Sequence, residues 1–283
     1  MDSIYIISIA GVGCYVVASL LALASLLGVK PRGERVAISM MTVGGVILAG
    51  VLVSRGVGLT SLPAFNCFDA MVLYALALSG AYGLWSAYRY TPGIAGILIP
   101  YATLLLLCGV SAFRMHGGVP APVQGPGLML HVATAYGAFG VFSLASISAV
   151  IYLIQDGNLK HKRFGVLWSR LPSLETMDHI TSRLIGVAFL LLTISILMGI
   201  VLIRRVGGGE EWVLDPKVLA TVILWILVAV FVHMRASSDR HGRGIAMVAV
   251  FGLGCLLFAF IGVHLVAPSV HSFIQLGLRA GGP

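Results

Sequence analysis

The sequence predicts an all-α, polytopic integral membrane bundle of about eight transmembrane helices, with both termini on the outer, periplasmic side. The composition, the long apolar runs and the placement of Lys and Arg lead to this prediction. The 283 residues are 59% hydrophobic and 10% charged, and the mean hydropathy is +1.02. A soluble domain carries roughly 25% charged residues, so this chain cannot cover a water-facing surface. We find no linker and predict one transmembrane domain over residues 1–283.

Eight segments are long and apolar enough to be membrane spans, because an apolar core of ~30 Å needs about 20 helical residues. They are 4–28, 36–53, 69–87, 93–112, 128–154, 184–203, 218–235 and 245–266. Membrane strands would require alternating ten-residue segments, which the sequence does not contain. The first segment has neither a basic flank nor a small-residue cleavage site, so we expect a retained span.

Basic residues set the predicted orientation. With the N-terminus outside, the inner loops hold Lys30, Arg32, Arg35, Arg89, Lys160, Lys162, Arg163, Arg170, Arg183, Arg235, Arg240 and Arg243. The outer side then holds Arg55, Arg114, Arg204, Arg205, Lys217 and Arg279. This bias follows the positive-inside rule and gives the orientation of the spans. We expect a multi-pass protein of the cell inner membrane. It also explains the net charge of +8 without a nucleic-acid partner.

The histidines are the informative side chains. His116, His131, His264 and His271 fall near the predicted outer face, and His161, His179, His233 and His241 near the inner face. Imidazole is a common ligand of haem iron and transition metals. His131 at a helix start and His271 after the last span can face each other across a pocket, as a bis-histidine haem site requires. For His264, a packed or supporting role is favoured over a substitute ligand.

The outer loop 204–217, RRVGGGEEWVLDPK, follows the sixth span. Asp215 before a proline is a helix-start signature, since the carboxylate caps free N–H groups. Trp212 is either a membrane anchor or an aromatic surface against a porphyrin. Arg204 and Arg205 either pair with propionates or meet lipid headgroups. The four cysteines form no CxxC pair, which argues against thiol–disulfide chemistry.

The chain resembles the cytochrome c assembly family, which includes CcsA, CcmC and HemX-like membrane proteins that handle haem. The resemblance rests on HVATAYGAFG at 131–140, LPSLETMDHITSRLIGVAFLLLTISILMGI at 171–200, EWVLDPK at 211–217, HMR at 233–235 and VHSF at 270–273. These strings are individually weak, and their order and spacing carry the resemblance. The stretch 171–200 is the most specific.

The resemblance implies that His131 and His271 are axial ligands of an outward-facing haem b, and that Trp212 and Asp215 belong to the loop over it. It also implies that His233 takes part in haem uptake from the inside. Placing a histidine within a membrane span costs free energy unless the side chain has a partner or a function, which agrees with that role. The loop keeps one tryptophan where the family usually has several, and this leans toward the HemX-like branch.

The leading functional prediction is a haem-binding protein that takes up haem and presents it at the outer face in cytochrome c maturation. A CcsB-like membrane partner and apocytochrome c are the implied partners. The alternative is a HemX-like sensor or scaffold that docks a haem-biosynthesis enzyme on the inner loop 155–183. A secondary transporter would need mid-membrane acidic or broken-helix sites, and a cytochrome b would need a second histidine pair from His179 and His233. No independent catalytic constellation is seen, so any enzymatic role is part of a haem lyase system.

Overall fold

The computed structural model describes residues 2–30, 32–55, 66–110, 125–162, 164–205, 214–237 and 242–262. Within these ranges every regular element is helical. The helices are α1 (Asp2–Leu26), α2 (Gly33–Ser54), α3 (Cys67–Tyr88), α4 (Ala95–Val110), α5 (Pro126–Lys160), α6 (Val166–Arg170), α7 (Leu174–Arg205), α8 (Pro216–Ser237) and α9 (Arg243–Leu257). A π-helical turn, Phe258–Gly262, continues α9.

The predicted polytopic helical bundle is confirmed. Seven of the described helices are long and apolar enough to cross a membrane, and the remaining predicted segment, 93–112, forms the shorter apolar helix α4. Helix α4 runs antiparallel to α1: the backbone at Gly96 approaches Leu26, and the Thr103 hydroxyl donates to the Tyr15 carbonyl at 3.0 Å. It therefore lies beside α1 through the depth of the bundle.

Helix α5 lies at the centre and contacts α3, α7 and α9. Gly140 allows the closest approach, because a Cβ there would lie 2.5 Å from the Ala77 backbone of α3. On another side, the Ser146 hydroxyl donates to the Ala249 carbonyl of α9 at 3.0 Å. Small residues at helix contacts are how membrane helices pack closely, so the small-residue run of α5 makes it the core of the bundle.

The ends of the helices form two faces. At the basic end lie the turns 27–32, 89–94 and 161–173, where Arg235 pairs with Asp178 at 2.6 Å and Arg243 with Asp156 at 3.4 Å. At the His131 end lie the first turn of α5 and the last turn of α7. The positive-inside rule predicts that the basic end faces the cytoplasm.

The predicted inner loop 155–183 is longer than the observed connection, which carries one short helix. Helix α5 extends to Lys160 and α7 begins at Leu174, so the connection is 161–173 and contains the short helix α6. The polar residues that suggested a loop include Asp156 and Asp178, whose ion pairs lie on helical extensions beyond the apolar spans. Hydropathy marks the end of the apolar core and not the end of the helix.

Candidate functional site

His131 lies on the second turn of α5, which begins at Pro126 after Gly125. Gly125 has a φ of +139°, a backbone conformation that favours glycine, and proline suits the first helical turn. This local sequence fixes where α5 starts at the His131 end. The imidazole is half-buried and faces α7.

The imidazole of His131 is oriented by the backbone of α7. Its Nδ1 atom lies 2.8 Å from the Ser195 carbonyl oxygen, and the Ser195 hydroxyl donates to the His131 carbonyl at 3.2 Å. A carbonyl can only accept, so Nδ1 carries the proton and Nε2 carries the ring lone pair. Metal-binding histidines commonly donate their other N–H to a carbonyl in this way, which fixes the tautomer and the ring orientation.

Gly199, one turn after Ser195 on α7, makes room for this ring. A Cβ at position 199 would lie 3.1 Å from His131 Cε1 and 3.4 Å from Nδ1. A side chain at this position would therefore press on the imidazole. The half-buried, tautomer-fixed imidazole in a glycine-lined position is compatible with a haem ligand.

Arg204 and Arg205 form the last turn of α7, and both are exposed. The Arg205 guanidinium lies 4.0 Å from where a Cβ on Gly127 would stand, so it reaches the first turn of α5. Two cations therefore lie at the His131 end, where propionates of a bound porphyrin would find opposite charge. Their pairing with propionates stays a prediction.

Asp215 starts α8, as the sequence predicts. The side chain is buried, and its Oδ1 accepts from the backbone N–H of Lys217 at 2.9 Å and of Val218 at 3.3 Å. Its described contacts make it a helix cap. The predicted role of Asp215 over a haem stays a prediction.

Aromatic residues that the sequence did not single out line the interior below this end. The rings of Tyr136, Phe139 and Phe260 lie edge to face, with centroids 5.8 to 5.9 Å apart. The ammonium of Lys217 lies 5.6 Å from the Phe260 centroid, a cation–π contact. The π-helical turn places Phe260 here, which a straight continuation of α9 would not predict.

Of the other predicted site residues, one lies at the basic end and three lie outside the described residues. His233 is exposed near the end of α8, at the basic end, consistent with its predicted depth. His271, Trp212 and His264 lie outside the described residues. Over the part of the chain that is placed, no three His, Cys, Asp or Glu side chains gather as a metal site.

Ser195 and Gly199 are the functional neighbours that sequence reasoning missed. They stand four residues apart in the apolar run of α7, and small residues at this spacing mark a close helix contact. That signal could have suggested a contact for α7. It could not have shown that the contact holds a histidine of α5.

The profile of the family described as "Cytochrome C assembly protein" matches residues 64–271, well over half of the chain. The chain belongs to the cytochrome c assembly protein family. The matched range contains His131, Trp212, Asp215, His233 and His271. The resemblance read from the sequence is therefore confirmed.

Relatives of the cytochrome c assembly family agree with this membership. The chain is 24% identical over 277 residues to cytochrome c biogenesis protein CcsA of Thermosynechococcus vestitus, covering 82% of this chain and 85% of that protein. It is 25% identical over 241 residues to CcsA of Chlamydomonas reinhardtii, covering 83% and 67%. A shorter match of 104 residues to CcsA of Parasynechococcus marenigrum is 38% identical, covering 37% and 34%. No solved structure matches the chain.

Proposed function

We propose that this chain takes up haem in the cell inner membrane and presents it at the outer face for cytochrome c maturation. Haem is its cargo, bound as haem b between His131 and His271 under the loop that holds Trp212 and Asp215. The observation that carries the proposal is the orientation of His131: Nδ1 is 2.8 Å from a backbone carbonyl, which leaves Nε2 as the basic nitrogen. Membership of the cytochrome c assembly family supports the destination of the haem.

In this proposal, one end of the bundle takes up haem and the other end holds it. His233 receives haem near the basic end, and His131 holds it at the other end. His233 is exposed on α8, so it is accessible from the lipid or to a partner protein. A CcsB-like membrane protein and apocytochrome c are the proposed partners. Haem iron is bound by the neutral imidazole of a histidine, so each histidine would bind in that form.

Arginine side chains of α7 would then orient the cargo. Arg204 and Arg205 are exposed at the His131 end, where guanidinium groups can form bidentate hydrogen bonds with propionate carboxylates. Such bonds would fix the rotation of the porphyrin in its plane. The haem edge opposite the propionates would then be the part directed to the receiving protein.

The test is the haem content of the purified protein and the yield of mature cytochrome c in cells that depend on it. His131→Ala should lose the Soret absorbance and the cytochrome c yield together. The control is His179→Ala, which changes an exposed histidine at the basic end. A wild-type haem spectrum in His131→Ala would overturn the proposed ligand.

A second variant separates uptake from presentation. His233→Ala should purify with less haem from cells, yet should bind haem added to the detergent-solubilised protein with wild-type affinity. If added haem also fails to bind, His233 belongs to the holding site and the division of tasks is wrong.

The HemX-like alternative gains no support from the described residues. It relied on a large inner loop, whereas the connection between α5 and α7 is 161–173. Gln155 also ties this connection to α5, because its Nε2 donates to the Leu171 and Pro172 carbonyls, each at 3.1 Å. A scaffold that docks an enzyme here would lose its effect on haem synthesis when residues 164–170 are replaced, while cytochrome c maturation would persist.

A further inference from the structure

A second concave site lies at the basic end, separated from His131 by the length of the bundle. It is a cavity of about 410 Å³ between the end of α1, the start of α2, the α3–α4 turn and α6. Its lining includes Leu26, Arg32, Glu34, Arg35, Tyr90 and Arg170. Cavities of ~300–1,000 Å³ are the size that holds small molecules.

Helix α6 closes this cavity by packing on two glycine turns. Gly28 has a φ of +82°, and a Cβ there would lie 2.6 Å from Val166. Gly93 has a φ of +89°, and a Cβ there would lie 2.8 Å from the Arg170 carbonyl oxygen. Both turns therefore use glycine for its backbone conformation and for the close approach of α6. This packing holds Arg170 at the cavity.

The one acidic side chain in the lining is used internally. Glu34 is buried, and its Oε1 accepts from the Gly93 N–H at 2.9 Å. The Tyr90 hydroxyl is also hydrogen bonded to this carboxylate. Burial and the neighbouring Glu34 carboxylate raise the pKa of Tyr90 to about 12, so the phenol keeps its proton and donates. Glu34 therefore joins the start of α2 to the α3–α4 turn.

The three arginines that line the cavity differ from the described arginines that are held in ion pairs. Arg55, Arg235 and Arg243 each pair with an aspartate. Among the residues that the structure places, Arg32, Arg35 and Arg170 form no ion pair within 4.0 Å. Three guanidinium groups and one carboxylate leave the cavity with an excess of two positive charges. The walls formed by Ala22 and Leu26 are apolar.

We propose that this cavity binds a phosphate group at Arg32, Arg35 and Arg170, carried by the headgroup of an anionic phospholipid or by a soluble phosphate ester. Guanidinium groups match phosphate oxygens with bidentate hydrogen bonds. Seven described helices have the length of a membrane span, so we expect the helix ends at the basic end to lie at headgroup depth. The apolar walls suit the glycerol portion of a lipid. The proposal is independent of the haem site.

The test uses the full chain, purified and delipidated in an uncharged detergent. Native mass spectrometry measures binding of phosphatidylglycerol and of phosphatidylcholine, and glycerol 3-phosphate, inorganic phosphate and succinate are added as competitors. The variants are R32Q/R35Q and R170Q. The matched control is R89Q, which removes an exposed arginine at the same end that does not line the cavity.

We expect one tightly bound phosphatidylglycerol, weakened at least about tenfold in R32Q/R35Q and in R170Q, because each variant removes at least one charged hydrogen-bond donor to the phosphate. R89Q should bind as the wild type does. Binding of glycerol 3-phosphate by a protein that does not bind phosphatidylglycerol would assign the site to a soluble phosphate ester. Equal binding of phosphatidylcholine, equal competition by succinate, or an equal loss in R89Q would overturn the proposal.

Discussion

Replacing Gly199 by alanine is expected to weaken haem binding by about tenfold without unfolding the protein. The added Cβ would stand 3.1 Å from His131 Cε1, and ordinary contacts begin at about 3.4 Å, so the imidazole must move by a few tenths of an ångström. That movement strains the 2.8 Å hydrogen bond from Nδ1 to the Ser195 carbonyl. Disturbing the groups that orient a metal ligand typically costs 10–100-fold in affinity. Loss of one hydrogen bond costs up to about 1.5 kcal/mol, and about 1.4 kcal/mol corresponds to tenfold, the lower end of that range.

Gly186→Ala is the control for this effect. Gly186 lies in the same helix, and a Cβ there meets nothing within 4 Å. Both substitutions stabilise a helix by roughly 0.5–1 kcal/mol, so a difference between them comes from the contact with His131. Haem titration followed at the Soret band measures the affinity in both variants. Equal affinities and equal Soret positions would refute the assigned orientation of His131.

The remaining predictions concern stability. Asp215→Ala should lower the free energy of unfolding by about 1 kcal/mol through loss of the α8 cap, whereas Asp215→Asn should retain it; haem loss in Asp215→Asn with intact stability would show a role beyond the cap. Asp69→Asn should cost about 3 kcal/mol, since Asp69 is fully buried and its arginine partner is 15% exposed. Asp156→Asn should cost less than about 1 kcal/mol, because its basic partners are more than half exposed; equal melting shifts for the two would contradict this. Finally, the folded pKa of Tyr90, about 12, exceeds the ordinary value of 10.0 because of burial and Glu34. The unfolded chain therefore binds fewer protons between those values, and the free energy of unfolding should fall as pH rises from about 10 to about 12. Tyr90→Phe should reduce that slope, and an unchanged slope would show that Tyr90 is not its source.

The helices could be predicted from the sequence because each apolar run is long enough to be a span. The start of α8 was also predictable, since Asp215 and Pro216 form a local signature that the structure confirms. The ends of the helices were harder to predict from the sequence. The extensions of α5 and α7 are polar, and the ion pairs that accompany them join residues 57 to 87 positions apart.

The contacts around His131 could not be predicted from the sequence for the same reason. The sequence marks His131 as a candidate ligand but contains no local sign of its partners. Ser195 and Gly199 lie 64 and 68 positions away and meet His131 only because α5 and α7 pack antiparallel. The cavity at the basic end likewise brings together residues from four chain segments. In the sequence, its arginines indicated only which end of the bundle faces the cytoplasm.

Rescue of a His131→Gly variant by imidazole tests the central claim most directly. The glycine removes the ligand and leaves space between α5 and α7 in which free imidazole can donate its N–H to the same Ser195 carbonyl. We predict that the purified variant loses the wild-type Soret band and recovers it when imidazole is added, while His179→Gly keeps it throughout. A wild-type Soret band in His131→Gly without imidazole would contradict the assignment of His131 as a haem ligand.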